Sequence, residues 1–332
     1  MPGLTGIRSS HAICWALAVA LGGAAITAAT AARAAEEPAG VLARNVSTVH
    51  FFSDSLNEQR AFNLILPIDY EISTNRYPVL YLLHGYTGGN NNWTLLTNLS
   101  GYVARYRLIV VMPDGSNGWY VNSATDPKAK FEDYIIKDII PYVEKHYRTI
   151  PLRRARAITG LSMGGYGAMF LGLKHPDLFA AIGAFSGALD VAHNGLPPDT
   201  LNATEKERKQ KAEITSHFGP PGSPTAKERD PFEILAKVPR EQMPTLYIAE
   251  GGEDFLIKGN REFVAELAKL KVPYEYREVS PREHTWDFWD EQVRIFLEKL
   301  ARLEGFESGV TRGPEPPPPG PRDRLRMMPP AE

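Results

Sequence analysis

Ala157-Ile158-Thr159-Gly160-Leu161-Ser162-Met163-Gly164 decides the fold of this 332-residue chain. Three apolar or β-branched residues lead into a glycine, and a helix-like run over residues 164–175 leads out of the second one. The G-x-S-x-G spacing alone is common; the strand before it and the helix after it make it specific. The expected element is a strand–turn–helix elbow that holds a serine in a tight turn. Glycines without Cβ atoms let strand and helix approach there. Ser162 would also sit at a helix N-terminus, where developing negative charge is favoured. A plain structural turn with a capping serine would use the same residues.

Working outward, short β-branched and aromatic runs recur at residues 46–51, 61–66, 79–83, 108–112, 157–159, 180–185, 245–249 and 274–279. They read as strands. From the third onward they alternate with helix-like stretches at 93–106, 131–147, 164–175, 260–270 and 286–300. Leu108-Ile109-Val110-Val111 is apolar at every position, as a strand covered on both faces must be. The expected fold is α/β: a mostly parallel central sheet of about eight strands with helices on both faces. Its ligand crevice should lie at the carboxyl ends of the strands. Residues 188–230 break the rhythm with Pro197-Pro198, the charged run 205–211 and Pro220-Pro221. A lid-like polar insertion and a simple surface loop both fit.

Residues 1–35 carry Arg8, an uncharged Ala-rich run over 12–32, and Ala32-Arg33-Ala34, a small-x-small cleavage pattern. This is the form of a secretory signal, with an uncleaved anchor as the alternative, and it places the protein in the periplasm or the medium. The single cysteine, Cys14, lies inside that segment, which excludes a disulfide framework and Cys-based zinc sites. Residues 313–332 are Pro-rich with nothing to bury and read as a disordered tail. The folded body is then 36–312. The full chain's 37 Lys+Arg against 39 Asp+Glu give a net charge of −2 with no basic cluster in the body, which argues against a nucleic-acid partner. No stable membrane insertion is expected after cleavage, and neither a metal constellation nor a dinucleotide or phosphate loop is visible.

A nucleophilic serine needs a base, and the base needs an orienting carboxylate, which in this fold type follow the serine in the order acid, His. His175 is too close in sequence to fold back over Ser162, and His193 and His217 lie in the insertion. His284, between the last strand and the last helix, is placed to reach the carboxyl edge. Among Asp177, Asp190, Asp199, Asp230 and Asp254, only Asp254 follows a convincing apolar strand, with Glu250 and Glu253 as adjacent rivals. Backbone N–H groups of Met163 and Tyr86 are the expected oxyanion donors, Tyr86 from the turn Leu83-His84-Gly85. His84 is expected to hydrogen-bond within that turn. Trp119, Tyr120 and Trp286, with Asn122 and Trp289, are candidates for a substrate pocket; all but Trp119, which stands in a loop beside Asn117 and Gly118, fit equally as core or rim aromatics.

Thr159-Gly160-Leu161-Ser162-Met163-Gly164-Gly165-Tyr166-Gly167-Ala168, Lys174-His175-Pro176-Asp177-Leu178-Phe179, Gly252-Glu253-Asp254-Phe255 and His284-Thr285-Trp286 together resemble the putative-esterase family. That family includes esterase D, tributyrin, feruloyl and acetyl-xylan esterases, and mycolyltransferases. The resemblance implies an α/β-hydrolase fold, a Ser162–Asp254–His284 triad, Met163 and Tyr86 as oxyanion donors, no cofactor, and a small-molecule or polysaccharide-linked ester as substrate. Export disfavours the S-formylglutathione hydrolases. His84-Gly85, where mycolyltransferases commonly carry Asp-Gly, disfavours acyl transfer. A secreted serine carboxylesterase is the expectation; an acyltransferase or a non-catalytic glycan-binding relative are the alternatives.

Overall fold

The computed structural model describes residues 45–195 and 203–307. The expected signal segment, the Pro-rich tail and residues 196–202 of the insertion lie outside the described residues.

Eight strands form one sheet in the order β1-β2-β4-β3-β5-β6-β7-β8. They are β1 Val46–Ser53, β2 Glu58–Ile65, β3 Val79–Leu83, β4 Ile109–Pro113, β5 Arg156–Leu161, β6 Ala181–Phe185, β7 Thr245–Gly251 and β8 Glu275–Val279. β1 and β2 pair antiparallel, β2 runs antiparallel to β4, and every pairing from β4 to β8 is parallel. The order reverses at β3, whose neighbours are β4 and β5. In a doubly wound sheet such a reversal, here at the carboxyl ends of β3 and β5, is where a ligand binds.

Ten α-helices lie among the described residues. After β3 come α1 Asn92–Leu96 and α2 Leu99–Val103. α3 Phe131–Asp133 continues through a π-helical stretch, Tyr134–Ile139, into α4 Ile140–His146. α5 Met163–Lys174 follows β5; α6 Glu205–Phe218, α7 Pro224–Lys227 and α8 Pro231–Leu235 lie between β6 and β7. α9 Ile257–Lys269 and α10 Trp286–Leu300 complete the set.

The uniformly apolar central strands are explained by two cores. Val79, Tyr81 and Leu83 of β3 and Ile109 and Val111 of β4 face one core with α4, α5 and α9. Leu80, Leu82, Val110 and Met112 face the other with α2 and α10. Successive side chains on a strand alternate between faces, so both must be apolar.

The single helix expected over 93–106 is two. Thr97 is extended (φ −135°, ψ 172°). Its hydroxyl donates to the Trp93 carbonyl and accepts from Leu99 N–H, while Asn98 N–H donates to Asp290 Oδ1 at 2.8 Å. Side-chain bonds of this kind replace the helical ladder. The insertion is polar outward, yet α6 buries Ile214, His217 and Phe218, one stripe at helical spacing. Ile214 and Phe218 join the core beside α5, each contributing about 1.5–3 kcal/mol of apolar burial.

Candidate active site

The elbow is built as its glycines require. A Cβ on Gly160 would lie 2.6 Å from the Gly164 backbone, and one on Gly164 would lie 2.6 Å from the carbonyl oxygens of Leu83 and His84. Neither position admits a side chain. Between them Ser162 has φ 52° and ψ −118°, a conformation that costs an L residue of the order of 1–3 kcal/mol. Its own N–H donates to Phe185 O at 2.9 Å, and its carbonyl accepts from Tyr166 and Ala188. These bonds hold the strain. The side chain is half-buried at the head of α5.

His284 precedes α10, and its Nδ1 is 2.8 Å from Asp254 Oδ2. Asp254 is almost wholly buried, and its Oδ1 accepts from Leu256 N–H at 2.9 Å. Burial alone would raise this carboxyl. The hydrogen bond and charge of His284, the Leu256 amide and the Ser186 hydroxyl outweigh that and hold it below the usual carboxylate range. Ser162, Asp254 and His284 thus follow β5, β7 and β8 at one edge of the sheet. The pair Asp254–His284 is in direct contact. Among the described residues no hydrogen bond joins the Ser162 hydroxyl to the imidazole, a bond that commonly tightens only when substrate is bound.

The rival acids and bases are engaged elsewhere. Glu253 is exposed. His175 Nε2 bonds Glu132 at 2.9 Å and His193 Nδ1 bonds Asp230 at 2.7 Å. Glu250, on β7, is fully buried beside Asp254. Burial, reinforced by the negative Asp254, pushes its carboxyl well above the usual range. A neutral carboxyl makes a poor electrostatic partner for an imidazolium. It also has a stability consequence. With the folded pKa above the unfolded one, stability is full below about pH 4.3 and declines as pH rises, because only the unfolded chain then releases this proton. Glu250→Gln removes that loss. Its melting temperature is expected to exceed the wild type's by a margin that widens from pH 4 to pH 8; a constant offset would contradict this.

The loop after β3 meets the elbow. A Cβ on Gly85 would lie 3.5 Å from Ser162 Cβ. Thr87, Gly88 and Gly89 N–H groups donate to Asn117 Oδ1, Gly85 O and Asn92 Oδ1. The Tyr86 amide has no such partner among the described residues, and Met163 N–H, at the first position of α5, has none within the helix. His84 is buried beneath the loop; its Nδ1 is 2.8 Å from Gly85 O and its Nε2 accepts from Gly115 N–H at 2.8 Å. Those partners require the neutral ring. Burial lowers its pKa in the same sense.

Two expected pocket residues are corrected. Tyr120 is fully buried, with its hydroxyl donating to His84 O at 3.1 Å, and Trp119 is 3% exposed. Their consecutive left-handed backbones (φ 54° and 57°) turn both rings inward. Trp119 packs against Tyr86, Tyr166 and Phe218 as a wall behind the loop. Trp286 stays half-buried, edge-on to Trp93 and Trp289. Sequence reading passed over Phe255, which is 37% exposed with its ring 4.6 Å from that of His284. Its position beside Asp254 was the available signal. Among the described residues no cluster of three metal-ligating side chains occurs, and no helix is long and apolar enough to cross a membrane.

A profile of the family described as Putative esterase matches residues 53–299, from the end of β1 to the last turn of α10. The chain belongs to that family. As a putative-esterase member it is a serine hydrolase acting on carboxylic esters, on an α/β-hydrolase fold. An acetyl esterase of Caldicellulosiruptor saccharolyticus is 29% identical over 270 residues, covering 78% of this chain and 98% of its own. A ferulic acid esterase structure superposes with a TM-score of 0.64 at 28% identity, over 77% of this chain and 97% of that one. Staphylococcus aureus FphF, a fluorophosphonate-binding serine hydrolase in a substrate-bound structure, gives a TM-score of 0.67 at 24% identity over 77% and 98%. At that identity FphF speaks for the fold alone.

Proposed function

We propose that the protein is a secreted serine carboxylesterase that cleaves acetyl and feruloyl esters through an acyl-enzyme on Ser162. The Asp254–His284 hydrogen bond, at the edge where Ser162 stands on its strained elbow, carries the reading. Ser162 Oγ attacks the ester carbonyl while His284 Nε2 takes its proton. Asp254 holds the imidazole by Nδ1 and stabilises the charge it acquires. The Tyr86 and Met163 amides receive the oxyanion, each worth roughly 3 kcal/mol of barrier. His284 returns the proton to the leaving alcohol, then activates the water that releases the acid.

Acetyl and feruloyl specificity is supported by the relatives' activities and by Phe255 and Trp289, whose rings lie 4.6 Å and 4.8 Å from the imidazole, with Trp286 packed edge-on to Trp289. Export is supported by the Ala-rich segment and its cleavage pattern within residues 1–35. The test is hydrolysis of p-nitrophenyl acetate, butyrate and octanoate beside methyl ferulate. kcat/KM is expected to fall from acetate to octanoate, with methyl ferulate cleaved. A preference for octanoate would contradict the assigned acyl class, and no turnover of any ester would overturn the function.

A further inference from the structure

Thr87, directly after the residue whose amide is placed in the oxyanion hole, has φ 61°. A β-branched residue keeps a left-handed backbone only where its surroundings over-determine it. Here they come from three sides. Asn117 Oδ1 accepts the Thr87 amide at 2.9 Å, and the neutral His84 ring braces the loop from below. From above, the Tyr86 hydroxyl donates to Glu213 Oε2 at 2.9 Å, across 127 positions of sequence.

Glu213 is presented by a helix that is itself anchored. In the last turn of α6, the Ser216 carbonyl accepts from Ser123 Oγ at 3.0 Å and Thr125 Oγ1 at 3.2 Å, and the His217 carbonyl from Ala124 N–H at 3.1 Å. These carbonyls have no partner within a helix, so the 123–125 loop completes them. Phe218 packs 5.3 Å from both Trp119 and Tyr166, and the Tyr86 ring rests 6.2 Å from Trp119. The Tyr86 side chain is therefore held between Trp119 and Glu213, and its backbone amide is held with it.

We propose, on the serine-esterase reading above, that Glu213 is a positioning residue: through the Tyr86 hydroxyl it sets the aim of the Tyr86 amide, so that the insertion helix takes part in turnover. The bond acts at a distance from the reacting atoms. Its loss should show in kcat rather than in KM, since the amide meets the oxyanion only in the transition state.

The experiment uses the full chain with p-nitrophenyl acetate, rates being expressed per active site titrated with a fluorophosphonate so that misfolded protein drops out. Glu213→Ala and Tyr86→Phe are each expected to lower kcat about fivefold with KM within about twofold. Glu213→Gln, whose amide oxygen still accepts from the phenol, is expected to recover most of kcat. The double variant Tyr86→Phe/Glu213→Ala should be no slower than either single one, because both break the same bond. Unchanged kcat in Glu213→Ala, no recovery in Glu213→Gln, or additive losses in the double variant would each overturn the proposal. Turnover that persists in Ser162→Ala would overturn the esterase reading and this proposal with it.

Discussion

Ser162→Ala is expected to lower kcat by at least about 10⁴-fold while the protein stays folded. The hydroxyl is the only group removed. The strained backbone of the elbow depends on the Ser162 amide and carbonyl, which bond Phe185, Tyr166 and Ala188 and which alanine retains. KM should change little, because the oxyanion amides and the aromatic surface beside His284 are untouched. Esterase assays on titrated protein, with thermal denaturation alongside, check both halves. An alanine variant that keeps even a tenth of its turnover would remove Ser162 from the chemistry.

Asp254→Asn should be nearly as damaging, with kcat down by about 10⁴-fold at neutral pH. The side chain keeps its shape, and its oxygen can still accept the Leu256 amide, so the turn after β7 should survive. What changes is the face shown to His284. An amide N–H opposite Nδ1 forces the imidazole into the tautomer whose Nε2 carries the proton and cannot take one from Ser162. The loss should therefore be chemical rather than structural, with the variant still folded at the assay temperature. A loss of less than about tenfold would move the orienting role to another carboxylate.

The parts of the fold legible in the sequence are those decided locally. β3, β4, β6 and β7 are short, buried and apolar on both faces, and runs such as Leu80-Tyr81-Leu82 announce that directly. β2 begins earlier than its apolar run because Glu58, Gln59 and Arg60 are ordered by pairing with Ser53, Phe52 and Phe51, not by burial. The break between α1 and α2 rests on Asp290, which accepts the Asn98 amide from 192 positions away. No local pattern carries that.

The site divides in the same way. Ser162 is legible because strand, glycine turn and helix are consecutive, and Asp254 and His284 because each follows a strand that must end at the same edge. Trp119 and Tyr120 stand in a loop of glycine and asparagine that reads as exposed; their left-handed backbones, which bury both rings, leave no trace in residue type. Glu213 could not be found from sequence, since its contact with Tyr86 depends on where α6 packs.

The most direct test of the central claim is to treat the purified protein with a fluorophosphonate and locate the adduct by peptide mass spectrometry. The account predicts one stoichiometric adduct, on Ser162, that forms slowly in Asp254→Asn and not at all in Ser162→Ala. No adduct, or one on another residue that persists in Ser162→Ala, would contradict it.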